Sequence, residues 1–320
     1  MTALTGYLEC WDGTTLRLPT VCQWRFSYGM GDPCDSFSVT CLWDGTLAQS
    51  LPEATRFQAV WNGETVFTGV VDECESAWED GGTRLTVEGR GMAALLLDNE
   101  AVGSDYQVAT LEDILRDHVA PYGISVAQAD AMPAVSGFSV NTGSSEWQVL
   151  DRFARCYGGI TPRFDRLGRL VLTAPAAEIT CTLTANTALT ALVLREKRYG
   201  RYDRVLVRDT AGQKLYTVVD QDFSARGGLS RKVLTMPNKT GYEAMRYNGA
   251  YQLRQSAREA RMLEASLTAL FPAWPGACVR VEDAWPGCAG DWRVEEMTCG
   301  WNGQGTYSTL SLSALEGGTL

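Results

Sequence analysis

Apolar and polar positions alternate with a period of two through most of the first hundred residues. In the stretch 84–89, Leu85 and Val87 fall on one face and Thr86 and Glu88 on the other, which predicts a half-buried strand. The β-branched and apolar run 66–72 predicts another, and Asn62-Gly63 ahead of it predicts a tight two-residue hairpin back to a strand at 56–61. Residues 37–42 and 22–28 supply further strands. Short strands separated by Gly, Asn and Asp turns predict a small barrel or sandwich.

The period then changes. Thr110 and Asp113 have capping-box spacing and predict a helix of about eleven residues, ending near Pro121 and Gly123. Trp147, Leu150, Phe153 and Ala154 form the apolar stripe of a second helix over 145–157, stopped by Gly158-Gly159. A hairpin follows, with arms at 160–165 and 169–173 and its turn at Gly168, so the middle of the chain reads as α+β. Strands resume at 204–208 and 214–220. Leu253, Ala257, Ala260, Leu263, Leu267 and Leu270 then repeat at helical spacing and predict one long helix over 242–271, ended by Pro272. Strands at 292–298 and 307–314 close the pattern.

A short repeat links the two ends. Val71-Asp72-Glu73 is followed, eleven residues after the valine, by Gly82-Thr83; Val294-Glu295-Glu296 is followed at the same distance by Gly305-Thr306. Each Gly-Thr leads into an alternating strand, through Leu85 and Val87 or through Leu310 and Leu312. Hairpins can resemble one another by chance; the alternative is two related β domains separated by the α+β piece.

Composition narrows the class. The 320 residues are 45% apolar and 21% charged, which predicts two or three folded domains and excludes a disordered chain. The formal charge of −10 is uneven: residues 1–100 hold 15 Asp and Glu against 5 Arg, and the remainder is balanced. A solvated acidic domain is the plain reading. Such a surface repels nucleic acid, so no sequence-specific nucleic acid binding is expected. The ten cysteines include no CxxC pair. With no basic leader and no apolar run of about 18 residues, neither a signal peptide nor membrane insertion is expected, and the thiols are expected as small buried hydrophobes in a reducing cytoplasm.

Candidate chemistry is thin. His118 is the only histidine and sits beside Asp117 on the first helix, where a surface or capping position is expected. A single histidine excludes two-His metal sites, and no GxSxG is present. Gly89, Gly91 and Ala94 fit GxGxxA spacing, but the apolar stretch after them is under two helical turns, so a strand exit is expected. Asp220-Gln221-Asp222 opens like a calcium loop, but Ala225 and Arg231 occupy the places of the required Gly and Glu. Glu295-Glu296 and Asp72-Glu73 are adjacent on strands and point to opposite faces, so neither pair can flank a glycosidic bond. Arg195, Lys197, Arg198, Arg201, Arg204 and Arg208 form the one basic cluster, with Tyr199 and Tyr202 interleaved. Its economical partner is the acidic first domain of a neighbouring subunit. No catalytic, cofactor-binding or metal-binding residue is assigned, and an enzyme is not expected.

Three stretches, in order, carry a family resemblance. The first runs from Asp35–Val39 through Phe67-Thr68-Gly69-Val70-Val71 to 85–91 and the exit Leu95–Asp98. The second is the helix 147–159 leading to 165–170. The third joins Trp274-Pro275-Gly276, 279–281, 292–294 and 309–312. Together they resemble the baseplate hub proteins of phage tails and contractile injection systems, of the Mu-like and PBSX-like prophage kind.

The resemblance implies a mainly β protein with α+β insertions. Two related small β-barrel tube domains would lie near 1–98 and 186–320, the second interrupted by a long helix at about 242–271, with a middle α+β domain at 99–185. It implies a structural homotrimer forming a pseudo-sixfold ring that joins the hexameric tail tube to the trimeric central spike. Its partners would be the spike, tail tube or tube-initiator proteins, and other baseplate or LysM-type tail proteins. Its place would be the virion baseplate, assembled in the host bacterial cytoplasm. If the acidic domain lines the channel, removing several of Asp72, Glu73, Glu75, Glu79 and Asp80 should spare assembly and alter transit. The alternatives are a carbohydrate-binding or carbohydrate-cleaving β-protein, for which the ten tryptophans would line a cleft, and a secreted disulfide-linked β-protein.

Overall fold

A computed structural model describes residues 4–31, 35–176, 178–210, 214–236, 241–282 and 285–315. The first third forms seven strands: β1 Thr5–Cys10, β2 Thr15–Arg17, β3 Val21–Gly29, β4 Ser36–Leu42, β5 Ala54–Trp61, β6 Glu64–Glu79 and β7 Gly82–Gly91. The predicted turn between β5 and β6 is present, with Asn62 at φ 53° and Gly63 at φ 82°, the left-handed pair that such a hairpin demands. Leu85, Val87, Phe26, Phe57 and Phe67 are buried, and the rings of Phe37 and Phe57 stack at 4.0 Å. Gly89 is where the sheet comes closest to itself: a Cβ there would lie 2.0 Å from the Val70 carbonyl oxygen and 2.6 Å from the Phe37 ring. The glycines of the GxGxxA match therefore serve packing, and only the four-residue α1 Ala94–Leu97 follows them.

The middle region contains β8 Ser104–Ala109, α2 Leu111–His118, β9 Val126–Ala129, β10 Val135–Val140, α3 Glu146–Phe153, β11 Arg163–Phe164 and β12 Leu170–Leu172. Both helices begin with a capping box. In α2 the Asp113 amide donates to Thr110 Oγ1 and the Thr110 amide to Asp113 Oδ2; in α3, Ser145 and Gln148 do the same. The predicted stripe Trp147, Leu150, Phe153 and Ala154 is buried, and α3 runs on as a π turn to Gly158.

The last region contains β13 Ile179–Leu183, β14 Leu189–Glu196, β15 Arg204–Asp209, β16 Leu215–Val219, α4 Gln221–Ala225, β17 Arg231–Met236, α5 Tyr242–Ala260, β18 Arg261–Leu267, β19 Cys278–Val281, β20 Gly290–Asn302 and β21 Gly305–Ala314. The expected helix over 242–271 is corrected here. It ends at Ala260, and 261–267 is a strand with Leu263, Ala265 and Leu267 buried. Leu, Ala and Glu favour helix, but the slot between β14 and β21 makes these residues a strand; packing overrides propensity. The insertion is also larger than a helix. Strands β15, β16 and β17 form a separate three-stranded sheet, and α5 lies across it, with Gly249 set against Val207 and Val218.

Two cores result. One joins the first region to β13, β18, β19, β20 and β21; the other joins the middle region to the insertion. The two β regions are continuous halves of one 13-stranded sheet running β14-β18-β21-β20-β3-β4-β7-β6-β5-β1-β2, with β19 and β13 branching from β20. No pairing closes that path among the described residues.

Candidate functional site

The two halves of the sheet share one plan. Strand order β3-β4-β7-β6-β5 matches β14-β18-β21-β20-β19, every neighbour antiparallel. The repeat in the sequence marks the same irregularity in both. The register between β6 and β7 shifts at Asp72, between Val71 and Glu73; that between β20 and β21 shifts at Glu295, between Val294 and Glu296. A second bulge falls at Cys22 in β3 and at Thr190 in β14. Cys22 Sγ donates to the Thr40 carbonyl at 3.2 Å, and Thr190 Oγ1 to the Ser266 carbonyl at 3.1 Å. A bulge at matching places in two pairs of strands is a designed feature of the plan. The halves differ at the rim, where β1 joins β5 antiparallel and β13 joins β19 parallel.

The halves meet where β20 outruns β19 and pairs with β3. Trp24 lies opposite Trp301, Phe26 opposite Cys299 and Tyr28 opposite Met297. On the other face, the Ser27 and Thr298 hydroxyl oxygens are 3.2 Å apart. The Tyr28 hydroxyl donates to the Val66 carbonyl at 2.7 Å, tying the joint to β6.

Two of the sheet's edges that match this joint in the common plan have no such partner among the described residues. Residues 73–78 of β6 extend past the end of β5 and pair with β7 alone among the described residues. Strand β14 pairs with β18 alone. The first edge carries much of the exposed acid: Glu73 and Glu75 are exposed, and Trp78 is 79% exposed. Asp72 is used within the chain, since Arg90 donates to Asp72 at 2.7 Å and to Asp98 at 2.6 Å. The guanidinium holds the Asp98 carboxyl below its ordinary 3.8. The side chain of Glu79 and residue Cys34 lie outside the described set.

The basic cluster divides. Arg201 meets Asp220 at 2.8 Å, Arg204 meets the buried Asp203 at 2.7 Å, and Arg208 donates to Thr235. These belong to the inserted sheet. Arg195, 3.9 Å from Glu264, and Lys197 mark the end of the β14 edge. Asp220, considered as a calcium ligand, instead caps α4 by accepting from the Phe223 amide.

His118 is not at the surface, as expected, but 4% exposed. Its Nδ1 is 2.5 Å from Glu146 Oε2, Tyr122 donates to Glu146 Oε1 at 3.0 Å, and Tyr106 oxygen is 3.1 Å from Nε2. The pair ties α2 to α3. Burial and Asp117 push the Tyr106 hydroxyl up to about 12. Nothing local in the sequence signals Glu146 as the partner, because it lies 28 residues away. A cleft of about 360 Å³ is lined by Trp24, Trp61, Phe271 and Trp274. Glu64, the one acid among the described residues on its wall, is held by Arg166 at 2.9 Å. Among the described residues no cluster of three potential ligands suits a metal ion, and no helix is long and apolar enough to cross a membrane.

Comparison with known proteins places this geometry. Residues 93–174 match the family model described as "Baseplate hub protein gp44-like, second domain". A stretch of 208 residues is 28% identical to the baseplate hub protein gp44 of Escherichia phage Mu. The chain is similar to phage baseplate hub proteins, with the gp44-like second domain falling on residues 93–174. The Mu match covers 63% of this chain and 54% of the Mu hub, so the chain spans about half of that relative. The fold agrees over nearly the whole chain. A tail protein from Neisseria meningitidis MC58 superposes with a TM-score of 0.77 at 18% identity, covering 98% of this chain and 97% of that one. The 43 kDa tail protein of prophage MuSo2 from Shewanella oneidensis gives 0.75 at 18% identity, covering 97% and 98%.

Proposed function

We propose that this hub forms a ring of three chains, six β units in pseudo-sixfold arrangement, that seats the central spike on one side and the tail tube or its initiator on the other. Regions near 1–98, 99–185 and 186–320 are its working units. It acts as a structural part of the virion baseplate, put together in the host bacterial cytoplasm, with other baseplate or LysM-type proteins nearby, and without catalysis. The observation that carries this reading is the duplicated strand plan. One chain supplies two equivalent units already joined edge to edge, so three copies make a six-unit ring from identical surfaces. The middle region and the insertion share a core of their own, which leaves the doubled sheet as one continuous body. Native mass spectrometry of the full chain, alone and with its spike protein, tests the reading. A mass of three chains supports it; a species that stays monomeric under both conditions contradicts it.

A further inference from the structure

The joint inside one chain also predicts the joint between chains. In the common plan β3 corresponds to β14, and β20 corresponds to β6. Within the chain, β3 of the first unit pairs with β20 of the second. The complementary halves of that joint, β14 of the second unit and residues 73–78 of β6 in the first, are edges with one neighbour each among the described residues. Unpaired edges of this length are reactive surfaces, and proteins cover them.

The register follows without adjustment. Tracing pairings outward from the matched bulges carries Trp24 onto Leu192 and Ser27 onto Arg195, and carries Trp301 onto Trp78 and Thr298 onto Glu75. We propose that β14 of one copy pairs antiparallel with residues 73–78 of β6 in the next copy, with Arg195 opposite Glu75, Lys197 opposite Glu73 and Leu192 opposite Trp78.

Three observations make a second copy the occupant. Charges are complementary at two successive positions on one face: Arg195 and Lys197 meet Glu75 and Glu73. Neither glutamate forms an ion pair among the described residues. On the core face, the 79% exposed Trp78 lands on Leu192, as Trp301 lands on Trp24 within the chain. Finally, the new joint continues an established one, with the Arg195–Glu75 pair standing where the Ser27–Thr298 hydrogen bond stands inside the chain. The contact is head to tail, so it builds a ring where its rotation closes, as the three-chain reading requires, rather than a two-fold dimer.

The inference rests on the ring reading only in expecting several copies; the strand register is its own claim. The test is charge reversal in the full chain, read by native mass spectrometry, with circular dichroism to confirm folding. Glu75→Lys and Arg195→Glu should each shift the assembled species to monomer, and E75K/R195E together should restore it. In a second measurement, an Ala77→Cys chain mixed with a Val193→Cys chain should form a disulfide-linked pair that neither chain forms alone. An assembled wild type indifferent to both single reversals, or a double variant no better than the singles, overturns the register while leaving the ring. A wild type that never assembles overturns both. If Glu73 and Glu75 instead lined a channel, their loss would leave the mass unchanged.

Discussion

Ser27 and Thr298 share a hydrogen bond of 3.2 Å across the β3–β20 joint, although 271 residues separate them. That contact makes the two ends of the chain one body. Phe26 sits beside it, fully buried in the core that both halves share. Phe26→Ala should therefore cost about 3–5 kcal/mol through the cavity it leaves. Both β halves should melt together in a denaturant titration followed by tryptophan fluorescence. Loss of the first half alone, at unchanged midpoint for the second, would contradict the shared core.

The buried pair of His118 and Glu146 locks α2 on α3. Glu146→Ala leaves a buried imidazole without its hydrogen-bond partner and should lower stability by about 2–3 kcal/mol. Tyr122→Phe removes only the second hydrogen bond to Glu146 and should cost about 1 kcal/mol. Chemical denaturation of the two variants checks the ranking.

Acid should weaken the protein through its hydrogen-bonded carboxylates. Arg90 lowers Asp98 and Arg280 lowers Asp291 from the ordinary 3.8; hydrogen bonds from Thr110, then Arg116, lower Asp113. A depressed carboxylate contributes stability that is fully present above its unfolded pKa and is lost as pH falls through the folded one. Asp151 runs the other way, since burial raises it and its cost eases on protonation. The melting temperature should therefore fall as pH drops below about 4, and Asp98→Asn should flatten that fall.

Thiol reactivity separates the free-thiol state from a disulfide-linked one. The nine described cysteines are free. Burial pushes Cys41 and Cys299 up to about 12 and Cys156 up to about 11. These three should resist an aromatic disulfide reagent at pH 8 in the folded protein and react on unfolding, with all ten thiols titrating in denaturant. Fewer than ten would contradict the free-thiol state.

Much of this fold is legible in local chemistry. The Asn62-Gly63 turn, the Thr110–Asp113 capping box and each copy of the Val71 and Val294 repeat are carried by residues within a dozen positions of one another, and each stands where the sequence places it. What escapes is decided by distant partners. Arg261–Leu267 has helical composition and becomes a strand because β14 and β21 flank it. The Cys22 and Thr190 bulges share no residue type, so the kinship of β3 and β14 is visible only in their pairing. Between β14 and β18 a 64-residue insertion, 197–260, hides that kinship further. The basic cluster reads as one patch, yet buried Asp203 and Asp220 take up Arg204 and Arg201 and leave Arg195 and Lys197 at the edge.

One strand plan, repeated within the chain and proposed between chains, would build a ring. Electron cryomicroscopy of the assembled protein can show it. Three chains around a channel, six β units in the wall, and β14 of each chain running antiparallel beside residues 73–78 of the next are expected. A two-fold dimer, or a three-fold ring in which β14 faces solvent, would contradict it.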